Sequence, residues 1–203
     1  MPARLARDIS PGMKTRLSRL VLLVPLVLAS AGCDQWTKYQ AVASLTDGLD
    51  RVEGVVPRIA HYLAHTHPTP DTAVTVIEGL WRFTYAENSG AAFSFLAKAS
   101  YGRWLLVALG LAAVAMFFAW SLRQRHPLRL LGASLILGGA IGNLFDRIRL
   151  GYVVDFVQWH YHDRYSWPVF NVADAWIFVG AVLLFWGLAQ APREEPPVTE
   201  HGA

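Results

Sequence analysis

The apolar residues of this chain collect in four blocks: Leu20 to Cys33, Trp104 to Leu122, Leu130 to Phe145 and Ala175 to Ala191. Each block is apolar on all sides, which predicts buried or membrane-crossing helices rather than surface ones. A spanning helix needs about 20 residues. The first and third blocks reach that length only if polar residues at one end join the helix. Those residues are Asp34-Gln35-Trp36-Thr37-Lys38 in the first, and Asp146-Arg147 in the third. Leu80-Trp81-Arg82-Phe83-Thr84-Tyr85 alternates apolar and polar, the pattern of a half-exposed strand. Val153-Val154-Asp155-Phe156-Val157 predicts a second strand, interrupted by one carboxylate. Glycine, proline and charge break up residues 44–73, where Val55 to Leu63 predicts a short amphipathic helix lying on the membrane.

Composition points the same way. The 203 residues are 54% hydrophobic and 16% charged, where ordinary soluble domains carry about 25% charged residues. The expected fold is a mainly α membrane protein: four transmembrane helices with a small extracytoplasmic β-sheet and outer loop. Residues 1–19 form a basic cytoplasmic segment, 20–191 the membrane domain, and 192–203 a cytoplasmic tail. The membrane domain includes an outer region, 39–101, and an outer loop, 151–169. The positive-inside rule puts the N-terminal arginines and the loop of Arg123, Arg125 and Arg129 in the cytoplasm. Alternating the helices from there brings Asp34, Asn143, Asp146, Arg147 and Asp174 into one layer at the extracytoplasmic edge. Both termini are then cytoplasmic, in a multi-pass membrane protein.

The net charge of +3, with no basic stripe interleaved with aromatics, excludes a nucleic-acid partner. The single Cys33 excludes an internal disulfide. Ser30-Ala31-Gly32-Cys33 after an apolar run is similar to a lipoprotein signal. Ser30 fits that reading poorly, and three further spanning blocks oppose it.

Ionisable groups at the edge of hydrocarbon are costly and mark functional sites by default. Asp155 interrupts a strand, and Asp174 stands at the mouth of the fourth helix. Two carboxylates that meet share a proton and activate water for peptide hydrolysis. The plainer reading is an anion at a helix N-terminus and an exposed loop aspartate. Asp34 and Lys38, at i and i+4, read as a snorkelling ion pair at the membrane edge, or as support for a site. Asp146 and Arg147 read similarly, with a guanidinium suited to a carbonyl or a phospholipid headgroup. Helical spacing puts Asn143 and Arg147 on one face, and Asn171 and Asp174 on another. Asn88 and Gly90 read as a turn, with the Asn88 amide offered to an extended peptide. Gly138 and Gly142 form a small-xxx-small pair that lets helices approach closely. His61, His65, His67, His160 and His162 have spacings that suit a metal, but they lie in poorly patterned loops; neither a metal nor a cofactor is expected. Serine catalysis lacks its Gly-x-Ser-x-Gly or Ser-x-x-Lys motif at the polar cluster.

Five segments together resemble the lipoprotein signal peptidase family, also called signal peptidase II. They are Asp34-Gln35-Trp36-Thr37-Lys38, Asn88-Ser89-Gly90-Ala91-Ala92-Phe93, Gly138 to Arg147, Val153-Val154-Asp155-Phe156 and Phe170-Asn171-Val172-Ala173-Asp174. The resemblance spans about residues 20–190. It implies a bacterial inner-membrane aspartic endopeptidase that removes signal peptides from diacylglyceryl-modified prolipoproteins, on the amino side of the lipidated cysteine. The family's catalytic aspartates fall on Asp155 and Asp174. Its supporting residues fall on Asp34, Lys38, Asn88, Asn143, Arg147 and Asn171, with Gly90 and Asp146 in the same motifs. The implied partners are lipidated prolipoproteins and membrane phospholipids, with no obligate protein partner. Residues 44–73 depart from the family by their length. Two other classes fit the residues less well: a non-catalytic relative that sequesters an inhibitor, and a small transporter with a proton relay. An activity assay and a vesicle flux assay separate them.

Overall fold

The computed structural model describes residues 11–65, 73–90, 101–162 and 164–190, with side chains from residue 17 onward. In chain order the elements are α1 (Pro11–Leu45), α2 (Val55–Ala64), β1 (Ala73–Ile77), β2 (Trp81–Asn88), α3 (Gly102–Ser121), α4 (Pro127–Arg149), β3 (Val153–Tyr161), β4 (Tyr165–Ser166) and α5 (Val172–Ala189). Among the described residues four helices, α1, α3, α4 and α5, are long and apolar enough to cross a membrane. Their large exposed side chains, such as Met116, Phe178 and Phe185, suit a lipid surround. The first 10 residues, 66–72 with His67, 91–100 with Ala91 to Phe93, and the tail from 191 onward lie outside the described residues.

Each apolar block became a helix, and two helices run further than their blocks. α1 continues past Lys38 to Leu45, into the segment read as outer region. It ends where Thr46 Oγ1 donates to the Val42 carbonyl at 2.7 Å and accepts from the Gly48 N–H at 3.1 Å. That hydroxyl offers the backbone an alternative to the next helical turn. α4 starts on Pro127, whose missing N–H costs nothing in the first turn. α5 starts on a capping box. The Asn171 side chain accepts from the Asp174 N–H at 3.0 Å, and the Asp174 carboxylate accepts from the Asn171 N–H at 3.2 Å.

α4 is the bundle's central helix, and its glycines explain why. A Cβ on Gly138 would lie 1.8 Å from Ser30 Oγ, and one on Gly142 would lie 2.3 Å from Asp34 Oδ2, so this edge packs on α1. A Cβ on Gly139 would lie 2.4 Å from the Ala173 carbonyl, so the adjacent edge packs on α5. Gly132 and Gly180 meet backbone to backbone. A methyl on Gly180 would meet Gly132 O at 2.6 Å and Ile136 N at 3.0 Å. Both are backbone atoms that cannot swing aside. Gly180→Ala is therefore expected to destabilise by about 1–3 kcal/mol through overpacking. Gly32→Ala, with nothing within 4 Å of the new methyl, should leave stability unchanged or slightly raised. Thermal unfolding of both variants in detergent makes the comparison.

The four strands form one antiparallel order, β1-β2-β3-β4. The β2–β3 register pairs Ala86 with Asp155 and Asn88 with Val153, with an irregularity between Phe83 and Ala86. That irregularity explains why burial along β2 does not alternate cleanly and only Tyr85 is buried. Val42, Leu45, Leu49, Tyr62, Tyr152 and Val154 form a buried cluster that ties the end of α1 and α2 to the sheet.

Candidate active site

Asp155 sits near the start of β3, 2% exposed. Both of its oxygens accept hydrogen bonds. Asn88 Nδ2 donates to Oδ2 at 3.0 Å, and Asn171 Nδ2 donates to Oδ1 at 2.6 Å. Burial pushes the Asp155 carboxyl up to about 7; the bond from Asn88 opposes that rise, and the charge of Asp174 adds to it. Asp174, half-buried at the start of α5, accepts from Asn143 Nδ2 at 2.9 Å on Oδ1 and closes the capping box with Oδ2. Both carboxylates therefore touch the one residue Asn171, and they feel each other electrostatically. The plainer reading of Asp174, a carboxylate at a helix N-terminus, holds as well: one oxygen caps the helix while the other faces Asn143.

A layer of buried charge lies beneath the pair. Lys38, Asp34 and Asp146 are all 0% exposed. Lys38 Nζ pairs with Asp34 Oδ2 at 2.9 Å and Asp146 Oδ2 at 2.8 Å, and donates to Asn143 Oδ1 at 2.9 Å. An ammonium has three N–H donors, and each finds an acceptor. The snorkelling reading of Asp34 and Lys38 is thus corrected: the pair is locked between α1 and α4, because Asp146 supplies a second acceptor across the helix interface. The partners of Asp34 and Asp146 extend to the backbone. Asp34 Oδ1 accepts the Ala173 N–H at 3.0 Å, and Asp146 Oδ2 accepts the Val154 N–H at 3.2 Å. These bonds fix the starts of α5 and β3, the elements that carry the two outer carboxylates.

The Asn88–Gly90 turn forms as read, with Asn88 Oδ1 accepting the Gly90 N–H at 3.0 Å and Gly90 at φ +93. The other end of the Asn88 side chain goes to Asp155, not outward to a peptide. Arg147 is half-buried; Nη1 donates to the Asn143 carbonyl at 3.4 Å, and its charge acts on Asp174, Asp155 and Asp146. His61 and His65 stack on α2 with ring centroids 4.0 Å apart. Among the described residues no three metal-ligating side chains come together. Cys33 is exposed.

Three contributors escaped the sequence reading. Gln35 Nε2 donates to Asp34 Oδ2 at 3.2 Å and to Asp146 Oδ1 at 3.1 Å. Arg149 pairs with Asp146 Oδ1 at 3.5 Å, which its i, i+3 spacing could have signalled. Tyr62, on α2, bonds to Gln35; nothing local announces that contact. A separate cavity of about 310 Å³ lies between α1 and the sheet, lined by Val74, Phe83 and Phe156 among others. Phe156 points away from Asp155, as successive strand residues must.

Known proteins share much of this sequence and its fold. The chain is 37% identical to a lipoprotein signal peptidase of Anaeromyxobacter sp. over 177 residues, covering 82% of this chain and 84% of the relative. It is 40% identical to a lipoprotein signal peptidase of Teredinibacter turnerae, covering 73% and 85% of the two chains. A solved bacterial membrane enzyme superposes with a TM-score of 0.62 at 20% identity, over 85% of this chain and 96% of that one, which is a likeness of fold. The family model described as Signal peptidase (SPase) II matches residues 26–190, the stretch that holds every carboxylate of the site, and the chain belongs to that family.

Proposed function

We propose that this chain is an aspartic endopeptidase that cuts diacylglyceryl-modified prolipoproteins on the amino side of the lipidated cysteine, with Asp155 and Asp174 as its catalytic residues. That it is a peptidase of signal peptides follows from the family. The observation that carries the finer reading is the sharing of Asn171 by two carboxylates in different elements, each held by further amide donors. Amide bonds on both oxygens of Asp155 and on Asp174 fix their directions before substrate arrives, which is what a positioned acid and base require.

One proton resides on the pair near neutral pH, because neighbouring carboxylates do not both ionise freely. A water between them attacks the scissile carbonyl. One carboxylate takes the water's proton, while the other donates its own to the carbonyl oxygen, giving a neutral diol. The first then protonates the departing amine as the C–N bond breaks. The diol returns a proton to the second, and the pair is restored. The pair titrates as a unit.

The site lies at the outer surface of an inner membrane, with both termini cytoplasmic. The signal helix enters from the lipid, and its diacylglyceryl chains stay there among the phospholipids. The extended segment before the lipidated cysteine pairs with the outer strands and presents its carbonyl to the carboxylates. Arg147 is the cation placed to hold a neighbouring substrate carbonyl.

A purified-enzyme assay tests this. A lipidated prolipoprotein should yield a product whose first residue is the lipidated cysteine, read by mass spectrometry. A different cut site, or equal turnover of the unlipidated form, defeats the reading. The same assay fixes a pH dependence. Asp155 is raised to about 7, so the proton of the pair is present below that value and lost as pH rises through it. kcat/KM should therefore fall on the alkaline side of about 7. A profile flat to pH 9 would contradict the shared proton.

A further inference from the structure

α2 lies in the stretch whose length departs from the family, and the proposed chemistry does not use it. It is nevertheless pinned to the buried charges. Tyr62 is 3% exposed, and its hydroxyl donates to Gln35 Oε1 at 3.3 Å. The Arg149 guanidinium covers the Tyr62 ring, Cζ lying 4.3 Å from its centroid, and donates to the Tyr62 carbonyl. Tyr39 meets the same ring edge-on at 5.5 Å.

The orientation of Gln35 gives this contact its meaning. Its Nε2 must face Asp34 and Asp146, since turning the amide over would aim an oxygen at two carboxylates. The Tyr62 hydroxyl satisfies the oxygen that this orientation leaves on the other side. From Gln35 the bonds continue through Asp34 and Asp146 to Lys38, then to Asn143 Oδ1. Because Lys38, together with Asn171 Nδ2, holds that oxygen, Asn143 Nδ2 is the end that faces Asp174. Buried networks of this kind depend on every member being satisfied and on water being kept out.

We infer that Tyr62 is a positioning residue: it closes the outer wall of the Lys38 network and, through Gln35, keeps Asn143 turned toward Asp174. The inference rests on Asp174 being a reacting carboxylate, and its experiment has one arm that does not. Full-length wild type, Tyr62→Phe and Tyr62→Ala are reacted in detergent with methyl acetimidate, a small amine reagent, and modification of Lys38 is read by mass spectrometry. Lys38 should stay protected in wild type and Tyr62→Phe, and react at least about tenfold faster in Tyr62→Ala. In the cleavage assay Tyr62→Phe should lower kcat about fivefold, the worth of one hydrogen bond. Tyr62→Ala should lower it further, with KM near the wild-type value in both. Lys38 protected in Tyr62→Ala overturns the wall. An unchanged kcat in Tyr62→Phe, or a change confined to KM, overturns the positioning role, and that variant decides alone if Tyr62→Ala does not fold. Asp174→Asn in the same assay separates the two ideas. If it cleaves normally, the carboxylate reading fails, while the Lys38 result still stands or falls by itself.

Discussion

Asp155→Asn and Asp174→Asn should each lower turnover of a lipidated prolipoprotein by at least about 10³-fold, as loss of a general acid or base does, with the protein still folded and inserted. The two changes disturb the structure to a similar degree. At position 174 an asparagine oxygen can still accept from the Asn171 N–H, so the capping box that starts α5 persists, while its NH2 meets the Asn143 NH2. At position 155 both oxygens accept amide donors. An asparagine there keeps one acceptor and sets its NH2 against another NH2. Each variant should therefore melt slightly lower than wild type, by the worth of about one hydrogen bond. Near-normal cleavage by either variant would falsify the paired-carboxylate mechanism. Asp174 as a cap alone predicts normal turnover in Asp174→Asn, since the asparagine keeps the cap.

The layer of polar residues was legible because hydropathy and length disagreed. Blocks one and three were too short to span without Asp34–Lys38 and Asp146–Arg147, and topology then stacked those residues at one level. α4 packs against α1 and α5 as its glycine spacing implied. What stayed hidden was non-local. An i, i+4 spacing relates Asp34 to Lys38, but it cannot say that Asp146 on another helix takes a second hydrogen of the ammonium, so a buried triad read as a snorkelling pair. Asn88 announced its turn through Gly90, a neighbour two residues on. Its bond to Asp155 depends on the β2–β3 register and could not be read locally. Tyr62 is the extreme case: its helix was visible as an amphipathic stretch, but its partner Gln35 lies on another helix.

Removing the Lys38 charge should unfold the site from beneath. Lys38→Met leaves Asp34 and Asp146, both 0% exposed, with neutral partners only, apart from the more distant Arg149. Stranding buried charges in this way costs about 3–5 kcal/mol. The variant's thermal transition should drop accordingly, and a transition equal to that of wild type would show that the triad does not hold the bundle. Neutralising the stranded groups separates stability from chemistry. In Lys38→Met with Asp34→Asn and Asp146→Asn, the two fully buried carboxylates are neutral and only the less buried Arg149 loses an ion partner, so much of the lost stability should return. Cleavage should not return with it. Asn143 Oδ1 loses the ammonium and keeps only the bond from Asn171 Nδ2 at 3.0 Å, so its amide is held less firmly against Asp174. A refolded but poorly active triple variant is the outcome expected if Lys38 both neutralises two buried carboxylates and orients the amide above them.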